Sequence, residues 1–314
     1  MRHPFLHLGI ALAFAVVASG CGSDDTTTTA PAPTTSAAPA TTLAPTTTAS
    51  TSTTVEPTTL APTTSGAPTT SAGPTTGAEV LVYGIRDEHL VALGREVAAA
   101  TPAAAMQALI DGLTPDEEAA GIATMIPPDT ALLGVTTDGS EITVDLSSVF
   151  GTGGGSLAIT ARVAQTVFTL TQFPGIETVR FAIDGTVVTD DSGGLTGEGV
   201  LVDHTSRLDW DGFIPLILLE QPVDGATVSQ PIHVRGMSNT FEAVINYQVL
   251  APDRSVLVED FLMATSGTGT WGTFDADLVA LPAGTTGQVI VRLFEYSAKD
   301  GTPVNVTESL VTLA

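Results

Sequence analysis

The chain is 314 residues long and carries 34 acidic against 10 basic side chains, a formal net charge of −24. So acidic a chain is repelled by a phosphate backbone, which sets nucleic-acid partners aside. One cysteine, Cys21, excludes an intramolecular disulfide and any cysteine-rich metal cage, and Lys299 is the sole lysine available for amine chemistry.

Residues 1–20 read as a signal peptide: Arg2 precedes an apolar run over 8–20, too short to cross a bilayer, which needs about 20 apolar residues. The run closes on Ala18-Ser19-Gly20-Cys21, which resembles the bacterial lipobox, with Ala18 where leucine is commoner. That resemblance implies that Cys21 is lipidated and becomes the mature N-terminus, its diacylglycerol and N-acyl chain (palmitate or similar) holding the protein at the outer face of the bacterial cytoplasmic membrane. More than one acyl chain suffices for stable anchoring.

Residues 21–78 form the expected tether. Between 26 and 77 there are 22 Thr, 8 Pro and 5 Ser, with TTLAPTT at 41–47 repeated at 58–64. Such a composition buries too little apolar surface to offset the entropy of ordering, so disorder with a polyproline II bias is expected. Its reach is roughly 160 Å fully stretched and about 40 Å as a relaxed coil. Thr/Ser/Pro-rich stalks also accept O-linked sugars.

Over 79–190 the texture becomes helix and strand. Strands are expected at 80–83 and 89–97, then a helix opened by Thr101-Pro102 and stopped at Gly112. Asp138-Gly139 predicts a hairpin joining 132–137 to 141–146, with Ile142, Val144 and Leu146 on one face. The glycine loop 151–155 leads to Ser156, expected as N-cap of a long helix whose apolar stripe includes Leu157, Ala161, Ala164, Val167, Phe168 and Leu170. A strand at 179–183 and the Asp184-Gly185 turn follow. The order predicts an α+β unit with two helices against one sheet. VDLSSVF at 144–150 and TVFTLTQFPGIETVRFAIDG at 166–185 resemble the GerMN domain of sporulation and germination proteins, as do the helix ending Ala108-Leu109-Ile110-Asp111-Gly112 and the stretch Ile126-Pro127-Pro128-Asp129-Thr130.

Residues 191–213 read as a linker, and 214–314 as an all-β sandwich. Runs at 216–219, 232–236, 243–250, 256–263, 269–275, 288–296 and 304–312 are parted by turn signals such as Asp224-Gly225 and Asp300-Gly301, which suits an immunoglobulin-like fold. Gln221-Pro222-Val223-Asp224-Gly225, Val234-Arg235-Gly236, Phe241-Glu242-Ala243, Trp271-Gly272-Thr273-Phe274 and the segment from Phe294 to Gly301 resemble the immunoglobulin-like domain associated with spore germination proteins. Neither resemblance implies an enzymatic activity.

Nucleophilic catalysis needs a serine or cysteine beside a base. His89, His204 and His233 lie in no recognisable catalytic motif, so no catalytic residue is assigned. His204 stands among Asp203, Asp209 and Asp211 at spacings that match no EF-hand or zinc motif; a solvated acidic linker is the expectation, with no metal or cofactor. The Gly151–Ser156 loop lacks the Gly-Lys-Ser/Thr ending of a P-loop and any nearby ribose-binding signature, and reads as a flexible connector ending in the Ser156 N-cap. Asp116, Glu117 and Glu118 read as solubilising charges at a helix start. Asn305 heads a formal glycosylation sequon. Trp210 is expected as an exposed interface anchor, while the resemblance to the immunoglobulin-like germination domain implies that Trp271 is core. The resulting expectation is a non-catalytic, membrane-anchored binding or scaffold lipoprotein with a cell-wall or envelope-protein partner. The alternative is an envelope enzyme acting on peptidoglycan or its glycans through carboxylates of the GerMN-like unit.

Overall fold

The computed structural model describes residues 77–189, 195 and 202–314, so Cys21, the signal segment and nearly all of the tether lie outside the described residues. Among the described residues, no helix is long and apolar enough to cross a membrane.

The first unit opens with a hairpin of β1 (Ala78–Arg86) and β2 (His89–Val97), paired without interruption from Ala78 opposite Val97 to Arg86 opposite His89. Its turn is Asp87-Glu88, with φ of 51° and 65°. Left-handed turns of this kind match the right-handed twist of paired strands, and here two acidic residues adopt one without glycine. Helix α1 (Pro102–Ile110) is capped by Thr101, whose hydroxyl accepts from the Ala104 amide at 3.2 Å, and Gly112 follows its end at φ 91°. A second, short helix, α2 (Pro115–Ala119), carries a reciprocal capping box between Thr114 and Glu117.

Next come β3 (Leu132–Asp138), β4 (Glu141–Leu146), α3 (Ser156–Leu170), β5 (Thr178–Ile183) and β6 (Thr186–Val187). The β3–β4 turn falls one residue later than Asp138-Gly139 suggests, because Asp138 still pairs with Glu141. Strands β4 and β5 run parallel with α3 as their crossover, in a sheet ordered β3-β4-β5-β6. The strands expected in one sheet thus divide into this sheet and the separate β1–β2 hairpin.

Side chains explain that division. The outer edge of β1 is already satisfied: Gln172 accepts from the Leu81 amide and donates to its carbonyl, both at 2.7 Å, Gln165 donates to the Tyr83 carbonyl at 2.6 Å, and Ile85 exchanges both hydrogen bonds with Ala123. Two glutamines stand where a neighbouring strand would, which leaves no ladder for β3 to extend. They also account for the surroundings of α3, which touches β1, α1 and β5 and is buried nearly all round from Ile159 to Leu170. Leu157, expected in the buried stripe, lies ahead of this zone and is 60% exposed.

The second unit contains β7 (Ile217–Gln221), β8 (Thr227–Val228), β9 (His233–Ser238), β10 (Val244–Leu250), β11 (Val256–Met263), β12 (Gly272–Asp277), β13 (Gly287–Tyr296) and β14 (Pro303–Leu313). One sheet is ordered β11-β10-β13-β14-β8 and the other β12-β9-β7, with Ile217, Val234, Tyr247, Phe274 and Val291 among the side chains packed between them. Each expected run is a strand; only the two-residue β8 was without a sequence signal.

The three-stranded sheet is covered on both faces. Along β7, Ile217 and Leu219 point into the sandwich, while Leu218 joins the core of the first unit together with Val223 and Met237. Val202 and Trp210, from the expected linker, and Ile214, the first residue of the expected sandwich, belong to that same first core. The two units therefore share a seam built on the outer face of β7 and β9.

Candidate functional site at the seam

On that outer face, β7 presents Glu220 and β9 presents His233, Arg235 and Met237, by strand alternation. Glu220 is 6% exposed and accepts hydrogen bonds from the Tyr83 hydroxyl of β1 and from Arg207 Nη1, the latter at 2.6 Å. Arg207 also donates to Thr171 Oγ1 at 2.8 Å and to the Phe168 carbonyl at 3.4 Å, and its guanidinium lies 4.7 Å from the Phe168 ring centroid. Phe168 in turn meets Tyr83 edge-on at 5.3 Å. Burial, then the charge of Glu220, pushes the Tyr83 phenol well above its ordinary pKa. Burial alone would lower Arg207, but Tyr83 and Glu220 overcome it and hold the guanidinium charged.

Arg207 reaches the seam because its segment is anchored beside it. Asp209 accepts from the Ser206 amide at 2.6 Å to open a 3₁₀ turn over Arg207–Phe213, and Trp210 Nε1 donates to Thr205 Oγ1 at 2.7 Å. Trp210 is buried, contrary to the expected exposed anchor, because its indole both fills the first core and finds a hydrogen-bond acceptor there. Trp271, expected in the core, is only half-buried and stands at the edge of a cavity.

That cavity, about 580 Å³, opens beside the Glu220 cluster and is lined by both units. The first unit and connecting segment supply Glu177, Ser206 and Arg207; the sandwich supplies Arg235, Trp271 and Asp275. Gly236, also in its lining, lets β7 and Phe274 approach closely: a Cβ there would come within 2.0 Å of the Leu218 carbonyl oxygen and 2.6 Å of the Phe274 ring. Arg235 approaches Glu220 only to 4.0 Å, and its Nε is buried without a hydrogen-bond partner. Asp275 faces Arg235 across the β9–β12 register, but it lies 3.1 Å from His233 Nε2, whose Nδ1 is 2.9 Å from Asp277.

The other residues singled out in the sequence have local partners. His89 closes its own turn, with Nδ1 2.7 Å from the Asp87 carbonyl. His204 is solvent-exposed among acidic residues, as expected, but it is not without partners: it contacts Glu141 and Arg180, and Arg180 Nε donates to Asp203 at 2.9 Å. Asp209 is used as a cap. Glu117 pairs with Arg95 through two 2.7 Å hydrogen bonds, while Asp116 and Glu118 remain exposed. Burial of Glu117 raises its pKa, but the Arg95 bonds outweigh this and leave it lowered. The glycine loop is not a loose connector, because Arg162 donates to the carbonyls of Phe150, Thr152 and Gly153. It offers oxygens inward to a cation, the reverse of a phosphate cradle, and Gly155 rather than Ser156 is the N-cap of α3. Asn305 Nδ2 donates to Glu295 at 2.6 Å. Among the described residues no group of three or more His, Cys, Asp or Glu side chains is placed to hold a metal.

Tyr83, Arg207, Glu220 and Arg235 were passed over in the sequence because they come from four separate segments. One signal was legible: an acid, Glu220, ends the apolar run from Ile214 to Leu219, and runs without alternation belong to strands buried on both faces.

Residues 70–189 match the family model Germane, described as sporulation and spore germination, and residues 216–302 match Gmad2, the immunoglobulin-like domain of bacterial spore germination. No curated protein sequence matches the chain. Among solved structures, the tandem GerMN domains of the sporulation protein GerM from Bacillus subtilis are 19% identical at a TM-score of 0.36, over 64% of this chain and 62% of that one. The first GerMN domain of that protein is 25% identical at a TM-score of 0.34, over 42% and 99%. A Clostridium perfringens protein provisionally named a lipoprotein is 21% identical at a TM-score of 0.31, over 42% and 89%. At such scores none of the three bears on how the seam is built.

Proposed function

We propose that this chain, a Germane domain joined to a Gmad2 domain, is a non-catalytic binding or scaffold protein of the bacterial envelope, held by a lipidated Cys21 at the outer face of the cytoplasmic membrane. The observation that supports this reading is the seam. Glu220, Arg207 and Tyr83 are spent on one another, which fixes the two units together instead of poising an acid and a base over a cleft. Beside them a cavity lined by both units stays open, the form of a preformed binding site. The lipobox resemblance at Ala18–Cys21 supplies the address.

Two measurements test the reading. Purified full-length chain is passed over isolated cell wall and over envelope extract; retention by at least one is expected, and retention by neither overturns the binding function. In cells, Cys21→Ser moves the protein out of the membrane fraction. Membrane association that survives this change removes the anchor.

A further inference from the structure

Resting on the binding reading above, we propose that the seam cavity takes a carboxylate-bearing amino sugar, with Arg235 as the carboxylate clamp and Trp271 as the stacking face.

The two arginines that line the cavity differ in one respect. Arg207 is consumed by Glu220, Thr171 and the Phe168 carbonyl. Arg235 has only the 4.0 Å approach to Glu220, and its buried Nε donates to nothing. Its cross-strand neighbour Asp275 is engaged by His233 and does not neutralise it. The Nε edge is buried toward Glu220, but the Arg235 side chain is 38% exposed, so its outer, Nη end is the part open to the cavity. That end of a guanidinium is matched by a planar two-oxygen anion, and an arriving carboxylate pairs with it there.

The other walls define what carries the carboxylate. The lining carries three carboxylates, Glu177, Glu220 and Asp275, against two guanidinium groups, and since Arg207 is matched by Glu220 only Arg235 is left to meet an anion, which suits a single negative charge better than a doubly charged phosphate. Trp271 offers a half-buried aromatic side chain, and the Thr265 and Thr273 hydroxyls, 3.4 Å from one another, add polar atoms to the wall. Acceptors for hydroxyl and amide protons, an aromatic platform and one cation together suit an acidic N-acetylated sugar better than an extended peptide, which would need a run of apolar side-chain pockets.

The test is isothermal titration of the full chain with N-acetylmuramic acid and with N-acetylglucosamine, its counterpart without the carboxylate. Saturable binding of the acidic sugar is expected, with the neutral sugar about tenfold weaker or worse. Arg235→Ala brings the acidic sugar down to the neutral one's affinity, Arg235→Lys keeps part of the preference because it keeps the charge, and Trp271→Ala weakens both sugars. If Arg235→Ala fails to fold, the Lys and Trp271 variants still decide the matter. Equal binding of the two sugars, an unchanged preference in the Arg235 variants, or no saturable binding of either overturns the assignment. A chain that binds neither sugar yet is retained on cell wall loses this site and keeps the broader function; a chain retained on neither wall nor extract loses both.

Discussion

Replacing Glu220 by alanine is the most direct test of the seam. The carboxylate is 6% exposed and accepts from both Tyr83 and Arg207, so its removal leaves a buried guanidinium short of its counter-charge and a fully buried phenol without an acceptor. Breaking a buried ion pair from one side costs about 3–5 kcal/mol, and an orphaned buried hydroxyl about 1–3 kcal/mol. The groups form one network, so these costs do not add, and about 4 kcal/mol is the expected loss. For a folded body of this size that lowers the thermal midpoint by roughly 8–16 °C. Calorimetry and urea unfolding followed by tryptophan fluorescence measure it, with Trp210 reporting the first core and Trp271 the seam. Tyr83→Phe is the graded control: the ring still meets Phe168 edge-on, and only the hydrogen bond to the carboxylate is lost, about 2 kcal/mol. A loss below about 1 kcal/mol for Glu220→Ala, in a single cooperative transition, would refute the reasoning that this cluster joins the units.

Three other expectations follow from separate features. Because burial raises the folded-state pKa of Tyr83, its contribution is complete below the ordinary tyrosine pKa and is lost as pH climbs through about 10 toward the folded value; Tyr83→Phe flattens that alkaline decline in a pH series of melts, and an unchanged slope contradicts it. Gly236→Ala sets a methyl group 2.0 Å from a strand carbonyl that cannot swing aside without breaking the β7–β9 pairing, so about 3 kcal/mol or more of stability is lost in urea titration. Arg162→Ala releases the Phe150 carbonyl and two carbonyls of the glycine loop, Thr152 and Gly153, at a cost of about 3 kcal/mol, and limited proteolysis should then cut faster within 151–155.

Much of the fold was legible because its signals are local. Thr101-Pro102 opened a helix, period-two alternation marked β4, and turn residues parted the sandwich strands. What escaped was non-local. No spacing rule shows that Gln165 and Gln172, in and just after one helix, occupy the edge of a strand some ninety positions earlier. The same holds for Arg162, which reads as a polar point on an amphipathic helix but holds the glycine loop. Trp210 is buried against expectation because the segment around it looks polar in sequence and gains its burial only from the core it closes, while Trp271 packs against that core only in part. The candidate site is of this kind throughout: Glu220 alone left a trace, as an acid ending an unbroken apolar run.

The doubly covered β7 has a consequence for how such chains can be shuffled by recombination. Families that match separate stretches of sequence invite the picture of interchangeable beads, yet Val202, Trp210 and Ile214 lie between the two matched regions and complete the first core. A foreign sandwich spliced on after residue 213 would have to bring an apolar side chain at 218, an acid at 220 and no side chain at 236 before it could seat. The first unit, for its part, would have to keep Tyr83 and Arg207 to receive it. A swap that keeps this seam would therefore have to exchange the two modules as a matched pair, or repair each side of the join together.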